Sequence, residues 1–183
     1  MIAPVHLLSI AVLTGVLSLC VLGSLARSGM AGIRETIRAN LLTLLAFFLF
    51  GLQATEVPRW LSILLPNVLI GLALCAYYTG LRRLLGQRVP RHLMGLACVA
   101  AWLALAGYTY LDNQVAPRIV AMSALQMGFM FAVAAAVWQG RPANRSRYSY
   151  YFVWSVAMIS GVTCALRVLV FASGVAHADF LLQ

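Results

Sequence analysis

Every basic residue of this chain is an arginine, and ten of the 13 fall in three short stretches, 27–38, 82–91 and 141–147. The two connections between those stretches hold one each, Arg59 and Arg118. Long apolar segments run between all five. Membrane proteins gather their Lys and Arg in the loops that stay on the cytoplasmic side, so this alternation predicts a topology before any fold is considered. It gives six spans, with the N-terminus outside and Gln183 outside as well.

Composition agrees with that reading. The chain is 63% hydrophobic and 9% charged, with mean hydropathy +0.92, whereas about a quarter of a soluble domain is charged. A net charge of +9 suggests nucleic acid in a soluble chain. Here the arginines sit at span ends, at the depth of anionic inner-leaflet lipids, so no nucleic-acid partner is expected. No basic region precedes the first apolar run, and Arg27 and Arg34 follow it. That order describes a reverse-oriented first helix rather than a cleaved signal peptide.

At about 20 residues per crossing, the spans are predicted at 5–25, 39–54, 60–84, 93–111, 118–139 and 148–174. The expected fold class is therefore all-α, a polytopic transmembrane helix bundle forming a single domain over 1–183. Interfacial aromatics mark the limits, because such rings prefer headgroup depth. Trp138, Tyr148, Tyr150, Tyr151 and Trp154 gather at the inner ends of the last two helices, and Trp60, Tyr108 and Tyr110 on the outer side. Glu56, Asp112 and Asp179 fall outside and Glu35 inside. The longest non-membrane stretch, 26–38, reads as a loop. No repeat or low-complexity segment interrupts the pattern.

Helices in lipid gain no hydrophobic energy from touching, so their association depends on small residues and interhelical hydrogen bonds. The fifth helix carries Ala124, Gly128, Ala132 and Ala136 at intervals of four, and another helix is expected against that face. The third carries Asn67, Gly71, Cys75 and Thr79 at the same interval. Pro66 has no backbone N–H and is expected to kink that helix. Helix packing is the preferred reading of both stripes over a ligand site.

Polar groups at membrane depth face protein or water. Asn67 lies about 10 Å below the outer start of its helix at 1.5 Å per residue, Gln126 at a similar depth, and Arg167 in the outer part of the sixth helix. Asn40 lies near the inner end of the second. With Tyr108, the first three define a candidate outer-half ligand site, open to a small molecule or a lipid. The competing and preferred reading has Arg167 snorkel outward to Asp179, Asp112 or Glu56. Cys20, Cys75, Cys98 and Cys164 lie within spans without metal-ligand spacing and read as apolar packers. His6 and His177 both lie toward the outside, with no motif around them. Neither a metal, a cofactor nor a catalytic residue is expected, because no nucleophile elbow, phosphate loop, H-E-x-x-H or carboxylate pair is present.

The segment from Leu61 to Arg88 resembles one helix in the N-terminal multi-pass membrane domains of bacterial GGDEF-type diguanylate cyclases. The matching residues are Leu61, Ser62, Ile63, Asn67, Gly71, Tyr78, Gly80, Leu81, Arg82, Arg83 and Gly86. Ala39-Asn40 and the start of the fifth helix, Pro117-Arg118-Ile119-Val120 with Ser123, are similar too. The resemblance implies a sensory or anchoring domain in the bacterial inner membrane that regulates an attached cytoplasmic cyclase joining two GTP into cyclic di-GMP. It also implies a homodimer through the full-length protein. This chain has no Gly-Gly pair and so no GGDEF loop, and it is not expected to be an enzyme itself. With six spans its end lies outside, so a seventh helix is expected after Gln183, begun by Phe180-Leu181-Leu182, unless the chain is a stand-alone relative. The alternatives are a small transporter or channel, and a membrane scaffold subunit. A transporter favours paired broken helices and ionisable groups at the midplane. Here only the third helix is visibly broken.

Overall fold

The computed structural model describes residues 4–52, 58, 60–110, 115–140 and 147–173. All secondary structure among these residues is helical. Six α-helices are found among the described residues: α1 Pro4–Leu25, α2 Ile33–Gly51, α3 Leu65–Leu84, α4 Arg91–Tyr110, α5 Val115–Gly140 and α6 Arg147–Ala172. A 3-10 turn, Ala26–Ser28, follows α1, and a π turn, Trp60–Leu64, leads into α3. Four helical segments are long and apolar enough to cross a membrane: Trp60–Leu84, Arg91–Tyr110, Val115–Gly140 and Tyr148–Ala172. The segment of α1 from Val12 to Leu25 is apolar but shorter. The second helix falls short for a different reason. It starts at Ile33 rather than near Ala39, so Arg34, Glu35 and Arg38 belong to its first two turns.

The chain divides into two compact units, 1–89 and 90–183. In the first, α2 is the middle helix and packs on both α1 and α3. Its seam with α3 is built from small residues and leucines. Ala46, Leu49 and Leu69 are buried together, with Leu42, Leu52, Leu61, Leu65 and Ile70 closing around them. Ala39 and Ala73 are buried as well, and so is Gly71. Asn40 reaches α1, where its amide donates to the Gly15 carbonyl at 3.4 Å.

In the second unit α5 is the middle helix, packed on α4 and α6. From α4 it meets a single buried stripe, Met94, Cys98, Leu105 and Thr109. Pro117 lies inside the first turn of α5, where its missing N–H has no intrahelical partner to lose. That is why the helix begins ahead of it, at Val115. Of the small stripe predicted for α5, Ala136 is buried in the seam and Gly128 is not. Gly128 is exposed, and a Cβ placed there meets nothing within 4 Å, while Ala124 and Ala132 are half-buried. The buried residues are Met122, Ser123, Leu125, Phe129, Val133, Ala134, Ala136 and Val137, so larger side chains make the contact. The glycine that permits close approach is on α6. A Cβ on Gly161 would stand 2.9 Å from Cε1 of Phe131. Most of α6 is otherwise uncovered, with Phe152, Ile159 and Leu169 each more than 60% exposed.

These two glycines make opposite predictions. Gly161→Leu is expected to overpack the α5–α6 seam and lower the thermal midpoint in detergent, at about 1–3 kcal/mol. Gly128→Leu is expected to leave the midpoint unchanged. A loss of similar size in both variants would contradict this assignment of the seam.

Candidate functional site

The arginine-rich end of the first unit holds the most constrained geometry among the described residues. It begins with Gly32, the residue that starts α2. Its φ is 90°, in the left-handed region that glycine alone adopts cheaply. Its carbonyl accepts from the Thr36 backbone N–H at 3.1 Å and from the Thr36 hydroxyl at 3.0 Å. Against this turn lies Gly80 of α3. A Cβ on Gly80 would stand 2.8 Å from the Gly32 carbonyl oxygen and 2.9 Å from Thr36 Oγ1, and a Cβ on Gly32 would overlap the Gly80 oxygen. Two backbones therefore touch with no side chain between them.

Charged and aromatic groups surround that contact. Arg83 donates through Nη1 to Glu35, joining the last turn of α3 to the first turn of α2. The Glu35 side chain is 15% exposed and that of Arg83 44%, so the pair contributes position more than stability, at about 0–1 kcal/mol. Arg82 is held on its own helix. Its Nε donates to the buried Tyr78 hydroxyl at 2.9 Å, and its guanidinium carbon lies 5.2 Å from the centre of that ring. Its Nη1 donates to the Arg88 carbonyl at 2.7 Å, which folds the following loop back onto the helix. The helix ends at Gly86, φ 67°. Gln87 N–H bonds the Arg82 carbonyl at 2.8 Å and Gly86 N–H the Arg83 carbonyl at 3.1 Å. This is the glycine-terminated closure that satisfies the orphan carbonyls of a helix end.

The residues that carry the family resemblance thus have local structural roles. Tyr78, Gly80, Arg82, Arg83 and Gly86 build this end of α3. Ser62 and Asn67 belong to the other end. There Leu61 and Ser62 both bond the Pro58 carbonyl through their N–H groups, at 2.9 and 3.2 Å, and the π turn runs up to the buried Pro66. Asn67 donates its side-chain amide to the Ile63 carbonyl at 2.6 Å, so part of its polar capacity is spent on its own helix. The partners of Gly80 and Arg83 were not legible beforehand. Gly32, Glu35 and Thr36 lie in a stretch read as loop, and no motif marks them.

The polar residues expected to form an outer-half site are distributed between the units. Asn67 belongs to the first. In the second, Gln126 of α5 is half-buried, and its Oε1 accepts from Cys164 Sγ of α6 at 3.8 Å. Cys164 precedes Arg167 by about one helical turn, so Gln126 reaches α6 about one turn from the arginine. Arg167 is exposed, and Tyr108 of α4 is 38% exposed. The three acids expected to pair with Arg167, namely Glu56, Asp112 and Asp179, lie outside the described residues, as does His177. Trp138 and Trp154 meet at the opposite end of α5 and α6, ring centres 5.8 Å apart.

No family model, characterised protein or solved structure matches this chain.

The contact at Gly32 and Gly80 predicts a ranking of variants. Gly80→Ala is expected to cost about 1–3 kcal/mol through overpacking. Gly32→Ala is expected to cost about 1–2 kcal/mol more, from the left-handed conformation. Glu35→Gln is expected to cost less than about 1 kcal/mol. Thermal unfolding in one detergent would check the order, and Glu35→Gln as the most damaging variant would contradict it.

Proposed function

We propose that this chain is a six-span sensory or anchoring module of a bacterial inner membrane, with its N-terminus outside, and that it regulates a cytoplasmic diguanylate cyclase joined to it through a seventh span. The observation that supports this reading is the end of α3. The residues on which the resemblance to the membrane domains of such cyclases rests, Tyr78, Gly80, Arg82, Arg83 and Gly86, lie there in one closure tied to α2. An element that hands a signal across a membrane needs such a coupled end on its cytoplasmic side. A signal entering at the π turn and Pro66 would travel along α3 to that closure. A ligand biases such a bundle only by binding two of its arrangements with different affinity. Dimerisation through the full-length protein would bring two cyclase domains together, as joining two GTP requires.

Two experiments test the reading. Reporter fusions after Gln87 and Ala143 are expected to report cytoplasm, and fusions after Ala54, Asn113 and Gln183 the exterior. Any other alternation would remove the six-span topology. In cells carrying the full-length protein at equal amounts, Asn67→Ala and Arg167→Ala are expected to alter cyclic di-GMP while membrane insertion stays intact. If both variants match wild type under every condition, the polar residues are structural and the module is an anchor alone.

A further inference from the structure

The outward face of α2 has a pattern of its own. Arg34, Arg38, Leu41, Leu45 and Phe48 recur at alternating intervals of four and three, which places them along one side of the helix. All five are exposed, Leu41 at 52%, Leu45 at 48% and Phe48 at 63%. The opposite side, with Ala39, Ala46 and Leu49, is buried. The exposed stripe is thus charged at one end and apolar along the rest. From Arg38 to Phe48 the helix rises about 15 Å, about half the ~30 Å hydrocarbon thickness of a bilayer.

We propose that this face binds an anionic phospholipid of the inner leaflet, phosphate on Arg34 and Arg38 and an acyl chain along Leu41, Leu45 and Phe48. The inference rests on the membrane topology proposed above. Glu35, the one acid among the described residues, is taken by Arg83, and no ion pair is made by Arg34 or Arg38 within the described residues. Both arginines also lie in the first two turns of α2, where the positive end of the helix dipole disfavours a cation and favours an anion beside it. A second copy of this chain is a poorer occupant, because a symmetric contact through this face sets the arginine pair of one copy against that of the other. A free phosphate would satisfy the arginines and leave the apolar stretch unused.

The test is native mass spectrometry of the purified full chain with phosphatidylglycerol and phosphatidylcholine of identical acyl chains. Wild type is expected to retain phosphatidylglycerol preferentially. Arg34→Gln with Arg38→Gln is expected to reduce that preference about fivefold per arginine, from about 1 kcal/mol for each basic residue at an anionic surface. The charge-matched variant Arg141→Gln with Arg145→Gln is expected to keep it. Leu45→Gln is expected to weaken both lipids alike. An unchanged preference in the Arg34/Arg38 variant, or an equal loss in the charge-matched one, would overturn the proposal. So would displacement of the lipid by inorganic phosphate or by glycerophosphoglycerol, which carries the headgroup without acyl chains. A dimer that forms in place of lipid binding would assign the face to a second copy and also overturn it. Reporter fusions after Gln87 in the same variants separate the two failures: a correct topology with no lipid preference refutes only this inference, and an altered topology in wild type refutes the reading beneath it.

Discussion

Two helices surrounded by lipid have no hydrophobic reason to stay together, because the tails are as apolar as the side chains they would replace. What remains is close packing, and its strength depends on how near the backbones can come. In the first unit that limit is reached where Gly32 meets Gly80, each leaving no room for a Cβ on the other. The rest of that end follows from the contact. It brings the first turn of α2 beside the last turn of α3, so Glu35 is within reach of Arg83. With Arg83 engaged there, Arg82 is bonded by Tyr78 and by the Arg88 carbonyl. Gly86 then closes the helix and turns the chain.

The second unit solves the same problem with different residues. Its middle helix, α5, buries Leu125, Phe129 and Val133 along with Ala136 but not Gly128, and the close approach falls at Gly161 against a phenylalanine ring. A ring can shift by a few tenths of an ångström, whereas a carbonyl fixed in a helix turn has little room. The two seams therefore differ in stiffness, and the stiffer one lies at the arginine-rich end of α3. In the proposed function that is the useful place for rigidity, since an attached domain would respond to motion of that end and not to slack within it.

How much of this was legible beforehand varies by residue. Arginine placement and apolar length located the helices other than α2 to within a few residues, because both are one-dimensional properties of the chain. The start of α2 was misplaced. Arg34, Glu35 and Arg38 look like loop residues until Gly32 and Thr36 are seen against Gly80 of α3, with Glu35 paired to Arg83 and only Arg34 and Arg38 left exposed. Gly128 misled for a related reason. Small residues at intervals of four mark a face on which a helix can pack, but they do not say whether one does. The predicted outer site was legible only as a list of polar residues at similar depth. Depth is set by position along a helix, whereas meeting also depends on rotation about its axis. Asn67 turned its amide to its own helix, and Gln126 found a cysteine one turn from Arg167. The closure at Gly86 follows a signal visible in the sequence, a glycine just past the helix with arginines in its last turn. The partner of Gly80, 48 positions upstream, carried no signal at all.

The claim on which the account depends is that Gly32 and Gly80 share one contact. The most direct test is a double-mutant cycle with Gly32→Ala and Gly80→Ala, measured by reversible unfolding of the chain under one set of conditions. If either methyl group alone already separates the two backbones, the second adds little, and the double variant is expected to be more stable than the sum of the single losses implies, by at least about 1 kcal/mol. Residues that do not touch lose stability additively, within about 0.5 kcal/mol. Additive losses would contradict the contact and, with it, the structural basis proposed for the arginine-rich end.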